Sequence, residues 1–254
     1  MYNRRVESIK ELRKICQAQK AKTETRMPWV RFVRIFSIYL TWVLLHTKIT
    51  PNKVTLIGTF FCVTAPFLFI LEDYTWNMVG IGLYLFGYVL DYCDGEIARY
   101  RKTAGRGGLW FVEPATHDIQ YAFIGPPIGI AAFVRTGNVW MIALGFGLSL
   151  AKLLIRSLES KYQVLKLLAK ENKFLAGDSK IWHREKKAQA NDPQPKLYAQ
   201  MYLNIYGSMG FTVFMIVAAV TQRFDVFVWF YGVTLPIVLA LYFIRLSIKS
   251  RPFL

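Results

Sequence analysis

Apolar residues run along this chain in long blocks rather than in the alternating or three-to-four patterns of a water-soluble domain. Blocks of about 20 largely apolar residues, enough to cross the hydrocarbon core of a bilayer, lie near 54–72, 77–98, 109–134, 138–157, 203–222 and 225–245. The pattern predicts an all-α integral membrane protein with six transmembrane helices.

Upstream of these blocks, residues 4–26 are charged and predict a solvated helix. From Trp29 to Lys48 the chain turns apolar, but Arg31, Arg34, Ser37 and Thr41 recur at steps of three and four, which gathers them on one helical face. A basic stripe opposite Trp, Phe and Ile suits an amphipathic helix lying in the membrane interface. A seventh span is the competing assignment, and it would carry the N-terminus away from the equally basic 99–106 connection. Pro51 breaks the interfacial helix, and Thr50 or Asn52 stands where it can cap the next one. The chain therefore divides into an N-terminal segment, 1–48, and a six-helix membrane domain, 49–254. Within the domain, a basic segment at 160–197 includes a short helix before Gly177. No secretory signal precedes the first apolar block, so the N-terminus is expected to be retained.

Composition agrees with a bilayer as solvent: 54% of residues are hydrophobic and 16% aromatic. The net charge of +16 admits two explanations, nucleic-acid binding or topological bias, and the placement of the charges separates them. Of the 32 Lys and Arg residues, all but Arg135 and Arg223 fall in 1–53, 99–106, 152–196 and the tail from Arg245. The other side of the membrane would hold those two, with Glu72 and Asp73 in its first loop. This alternation follows the positive-inside rule for a multi-pass protein with both termini cytoplasmic, in a bacterial inner membrane or an internal eukaryotic one. It argues against a nucleic-acid partner, and the basic faces should attract anionic lipid headgroups. Cys16, Cys62 and Cys93 are odd in number and lack paired metal-ligand spacing, so they read as reduced and structural.

The second span carries the first candidate chemistry. Gly80, Gly87, Asp91, Asp94 and Ala98 follow one another at helical steps, with Gly95 beside Asp94, so small residues and two carboxylates share a stripe. Small residues admit a neighbouring backbone or a ligand. A carboxylate at the centre of a membrane helix costs about 2.5–3.5 kcal/mol on insertion scales. Two on one face repel unless a cation lies between them. Pairing of Asp91 and Asp94 with Arg99 and Arg101 at the helix end is the purely structural alternative. The basic, Gly-containing turn 100–108 offers backbone N–H groups and cations to a phosphate. Glu113 and His117 then fall one helical turn apart at the start of the third span, with Asp118 alongside. Pro114 is tolerated there because the first turn has unpaired N–H groups anyway. Consecutive spans joined by a short loop must be neighbours, so both sets of polar residues can converge on one metal site. On the fourth span Lys152 and Arg156, one turn apart, either snorkel to the interface or form an anion clamp facing the acids.

Asp91-x-x-Asp94-Gly95-x-x-Ala98-Arg99, followed by eight residues and Gly108, resembles the first part of the signature of the CDP-alcohol phosphotransferase family. The Thr50-Pro51-Asn52 stretch, the interfacial helix and six spans with a cytoplasmic site are similar to that family as well. The resemblance implies transfer of a phosphoalcohol unit from a CDP-linked donor, lipid or soluble, to an acceptor hydroxyl, with release of CMP. It implies divalent ions, Mg²⁺ or Mn²⁺ and two of them, held by acids against the donor pyrophosphate, for which oxygen ligands are well suited. By similarity Asp91 and Asp94 are metal ligands, Gly95 and Ala98 leave room for the nucleotide, and Arg99 supports the loop or the phosphates. Thr50, Asn52 and Gly108 join them in nucleotide binding, with Lys152 and Arg156 as phosphate partners, and the acceptor itself is open to carrying a phosphate. A homodimer is compatible with the resemblance.

The second half of the signature departs from the family. Its spacing would put the third and fourth aspartates at Val112 and Thr116, neither of which can do the work. One extra residue brings Glu113 and His117 into those places, which makes Glu113 the third ligand and His117 the base or a further ligand, with Asp118 a rival for either. Histidine serves as a base near neutral pH. Two other classes stay open on sequence alone: a transporter that binds a cation through its intramembrane acids, and an inactive scaffold that binds CDP-lipid.

Overall fold

The computed structural model describes residues 6–24, 28–103, 108–175 and 205–250, and among these there are eight helices and no strand. They are α1 (Ile9–Glu24), α2 (Pro28–Leu45), α3 (Pro51–Thr64), α4 (Tyr74–Tyr100), α5 (Glu113–Thr136), α6 (Trp140–Leu175), α7 (Ser208–Thr221) and α8 (Phe224–Ser250). A 3₁₀ stretch, Ala65–Leu71, prolongs α3, and a π-helical turn, Gly108–Val112, leads into α5.

Each of the six apolar blocks is occupied by a helix. Three stretches, Pro51–Leu71, Trp140–Leu168 and Phe224–Ile248, are long and apolar enough by themselves to cross a bilayer. Helix α4 has the length, at 27 residues, but its last three turns hold Asp91, Asp94, Glu96 and Arg99. Helix α7 is apolar but only 14 residues long.

Local chemistry explains the boundaries. Pro51 opens α3 where its missing N–H is harmless. Neither capping candidate acts as expected, since Thr50 occupies the cap position in extended conformation with no side-chain hydrogen bond. The connection is tied instead by Arg101, whose guanidinium donates to the carbonyls of Ile49 and, at 2.9 Å, Thr47. Asp73 caps α4 by accepting from the N–H groups of Thr75 (2.8 Å) and Trp76 (3.2 Å). Gly137 ends α5 at φ 68°, a left-handed position that glycine takes without strain. The short helix expected before Gly177 is the continuation of α6, which runs unbroken to Leu175. The remainder of 160–197, including His183, lies outside the described residues.

The bundle is held by close crossings. The carbonyl of Gly58 on α3 lies where a Cβ on Gly87 would come within 2.6 Å, and that of Gly145 on α6 would be 2.2 Å from a Cβ on Gly125 of α5. The small residues of the α4 stripe thus admit a neighbouring helix. One core joins α3 to α8 through Phe69, Ile128, Leu148, Phe211 and Tyr231. A second, of Leu12, Cys16, Ile38, Val54, Cys93 and Ile97, fastens α1 and α2 to α4.

Helix α2 turns its polar stripe inwards. Arg34, Ser37 and Thr41 are buried against α4, whereas Phe32, Ile35, Phe36, Tyr39 and Val43 are exposed. Arg31 alone of the four stays outside. An exposed apolar face of that size is expected where the surroundings are lipid.

Candidate active site

Asp91 and Asp94 leave α4 on the face towards α3 and α5. Asp94 is buried, and its Oδ2 accepts a 2.5 Å hydrogen bond from the Thr55 hydroxyl on α3, which also donates to the Pro51 carbonyl at 3.1 Å. Thr55 therefore belongs to the site, although sequence reading stopped at Thr50 and Asn52, one turn earlier. Asn52 lies beside the loop exit, its Oδ1 2.7 Å from where a Cβ on Gly108 would stand. A side chain at Gly108 would have to displace the Asn52 amide. Arg99 folds its guanidinium over Gly95, 3.2 Å from the place of a Cβ, and its Nε donates to the Cys16 carbonyl at 2.5 Å. The Ala98 carbonyl accepts from the Thr103 N–H at 2.9 Å, closing the end of α4. Arg101 is directed to Ile49 and Thr47 and closes the connection before α3.

The π turn decides which residues of α5 face the acids. An i→i+5 turn holds one residue more than an α-helical turn, and this one, Gly108–Val112, falls where the family spacing runs one residue short. The extra residue is absorbed before Glu113. Thr116 is consequently buried in the helix, donating to the carbonyls of Val112 and Glu113, both at 2.9 Å. His117 turns towards α4, its Nε2 3.6 Å from Asp91 Oδ1. Glu113 opens α5 one turn before His117. Asp118 points elsewhere: its Oδ1 accepts from Arg156 Nε at 2.7 Å, while Arg156 also donates to the Pro114 carbonyl at 3.2 Å.

Behind Asp91 and His117 opens a cavity of about 240 Å³, lined by Cys62, Tyr84, Tyr88, Tyr92, Gln120, Tyr121, Lys152, Arg156, Ser208 and Phe211. Lys152 is buried on its wall, 4.1 Å from the Phe211 ring centroid and 4.8 Å from that of Tyr121, and it donates to the Tyr206 carbonyl at 3.4 Å. Ring faces stabilise a cation of this kind. The two cations of α6 therefore differ: Arg156 ties α5 to α6 through Asp118, and Lys152 faces the cavity. Sequence reading missed the aromatic wall, because Tyr84, Tyr88 and Tyr92 look like ordinary membrane-helix residues until α5 and α7 close around them.

Three carboxylates of like charge offer hard oxygen ligands to a divalent cation, so the donor chemistry fits. Among the described residues no three His, Cys, Asp or Glu side chains already stand as a metal-holding group. Binding an ion there requires side chains to turn towards one another.

Residues 48–158 match the family model of the CDP-alcohol phosphatidyltransferases. The match supports the family to which the Asp91–Gly108 motif points, and it runs from just before α3 into α6, so every candidate site residue from Thr50 to Arg156 lies within it. No curated protein matches the chain. CDP-alcohol phosphatidyltransferases are transferases of phosphate-containing groups that use a CDP-alcohol donor and a hydroxyl acceptor. Together with the three apolar helices, the match marks an integral membrane protein. Helices α1, α2, α7 and α8 lie outside the matched segment and contribute Arg34 beside Tyr92, and Ser208 and Phe211 on the cavity wall.

Proposed function

We propose that this protein transfers a phosphoalcohol group from a CDP-linked donor to an acceptor hydroxyl and releases CMP, in a reaction dependent on a divalent metal. The observation that supports the reading is the approach of His117 on α5 to Asp91 on α4, with Asp94 one turn further on the same face of α4, beside a cavity and inside the family-matched segment.

Asp91, Asp94 and Glu113 would hold Mg²⁺ or Mn²⁺, two ions in the full arrangement, with His117 a further ligand for the softer metal. When bound, the metal neutralises the pyrophosphate and stabilises the departing CMP. His117 takes the proton of the acceptor hydroxyl as its oxygen bonds to the donor phosphorus and the bond to CMP breaks. The His117 Nε2 stands 3.6 Å from Asp91 Oδ1. Thr55 fixes one oxygen of Asp94, and Asn52, Gly95, Ala98, Arg99 and Gly108 shape the nucleotide side. A phosphate on the acceptor would supply the buried Lys152 amine with a counter-charge, which favours such an acceptor. The donor is a lipid entering sideways or a soluble CDP-alcohol, and the topology is six spans with α2 in the interface and both termini cytoplasmic.

The test incubates purified protein with Mg²⁺ or Mn²⁺ and a panel of CDP-linked donors, with and without hydroxyl acceptors, and measures CMP. Turnover should require the acceptor, vanish with chelator and return with either ion. Asp94→Asn should lower it at least a hundredfold with folding intact; unaltered turnover in that variant would sink the proposal. Cation flux into liposomes abolished by Asp91→Asn would point to a transporter instead.

A further inference from the structure

The strongest polar cluster in the described residues lies outside the cavity. Glu96 is fully buried, two residues beyond Asp94 and on another face of α4. Its Oε1 accepts from Ser37 Oγ (2.8 Å), Gln17 Nε2 (2.8 Å) and Arg34 Nη1 (3.4 Å), and its Oε2 accepts from Thr41 Oγ1 (2.7 Å). Gln17 also donates to the Arg34 carbonyl at 3.1 Å. A carboxylate without access to water is tolerated when its oxygens are supplied with donors in this way.

All four donors come from α1 and α2, outside the family-matched segment, whereas Glu96 lies within it. The same two helices grip neighbouring positions of α4. The Cys93 thiol donates to the Ser37 carbonyl at 3.5 Å and Arg99 donates to the Cys16 carbonyl, while the Tyr100 hydroxyl donates to Glu7, just ahead of α1. Arg34 lies 5.3 Å from the ring centroid of Tyr92, which is part of the cavity wall. The end of α4 therefore presents Asp91 and Asp94 on one side and is clamped on another. Rotation or axial slip of α4 would move the acids and break the clamp together, because a rigid helix couples its faces.

We infer that Glu96 is a positioning residue: through Gln17, Arg34, Ser37 and Thr41 it locks α4 to the α1–α2 pair and thereby sets where Asp91 and Asp94 stand. A packing contact alone would use apolar residues, as the adjoining core does with Leu12, Ile38 and Ile97. A buried multiply bonded carboxylate is satisfied in one register only, and that selects an orientation. The turnover arm of the test rests on the phosphoalcohol-transfer reading, and the labelling arm does not.

The experiment compares wild type with Glu96→Gln, Glu96→Leu and Thr41→Val in detergent. One arm measures CMP release, with kcat separated from donor KM; the other measures labelling of Cys93, which is fully buried under α2, in the native protein. Glu96→Leu should lower kcat at least tenfold, change donor KM less than threefold and raise the Cys93 labelling rate at least tenfold. Glu96→Gln and Thr41→Val, which keep the shape and most of the bonds, should fall between it and wild type in both arms. If Glu96→Leu does not fold, those two milder variants carry the test. Cys93 protected as in wild type, or freely labelled with kcat unchanged, overturns the inference. If wild type releases no CMP from any donor, the functional reading fails, and Mn²⁺ affinity replaces kcat: at least tenfold weaker binding in Glu96→Gln supports positioning, and unchanged affinity overturns it.

Discussion

His117 and Asp118 are adjacent in sequence, yet a helix points them about 100° apart, and their partners differ accordingly. His117 stands against Asp91 at the cavity mouth. Asp118 is half-exposed and bound to Arg156. Replacing His117 by Gln should lower kcat by roughly 10²–10⁴, the usual weight of a general base, and leave donor KM within a few-fold. Replacing Asp118 by Asn should cost less than tenfold in kcat, because a solvent-accessible ion pair contributes about 0–1 kcal/mol. The reverse order would transfer the base to Asp118. Both residues were open candidates for the base on sequence alone, since spacing does not say which of two neighbours a kinked helix entrance turns inwards.

At the scale of elements, the π turn sets the register of α5. Deleting Phe111, an exposed residue within it, should convert the turn to ordinary α-helix and keep Glu113 and His117 facing Asp91, because it removes the residue that the turn absorbs. CMP release should then stay within a few-fold of wild type while the protein still elutes as folded; a fall as large as in the His117 variant would show that the turn does not absorb the extra residue. The α3–α4 crossing gives a stability prediction. A side chain on Gly87 meets the Gly58 carbonyl at 2.6 Å and the Cys62 sulfur at 2.8 Å, whereas Gly82 has nothing within 4 Å. Gly87→Val should destabilise by about 1–3 kcal/mol, the range for overpacking. Gly82→Ala should be neutral or slightly stabilising. Thermal denaturation in detergent measures both. The small-residue stripe was legible in the sequence, but whether it admitted a ligand or a helix depended on which partner α4 met.

Across the whole molecule, the charge bias and the apolar exterior are the grounds for the proposed six-span topology, and labelling tests it. Ser8 and Asn138 are exposed at opposite ends of the predicted arrangement. Ser8→Cys should react with an impermeant thiol reagent from the cytoplasmic face, and Asn138→Cys only from the other. Native Cys16, Cys62 and Cys93 are buried and should stay silent; burial also pushes the Cys16 thiol up to about 11, so at neutral pH it is protonated and unreactive. Labelling of both engineered positions from one face would refute the six-span arrangement.

The long apolar blocks, the proline and glycine boundaries and the Asp91–Gly108 motif are properties of contiguous residues, so helix positions and the family resemblance could be read directly. Contacts between distant segments could not. The polar stripe of α2 has the same spacing whether it faces water or Glu96, and only packing against α4 turned it inwards. Thr55, the aromatic cavity wall and the division of labour between Lys152 and Arg156 arise in the same way, from helix faces brought together across gaps in sequence that periodicity does not register.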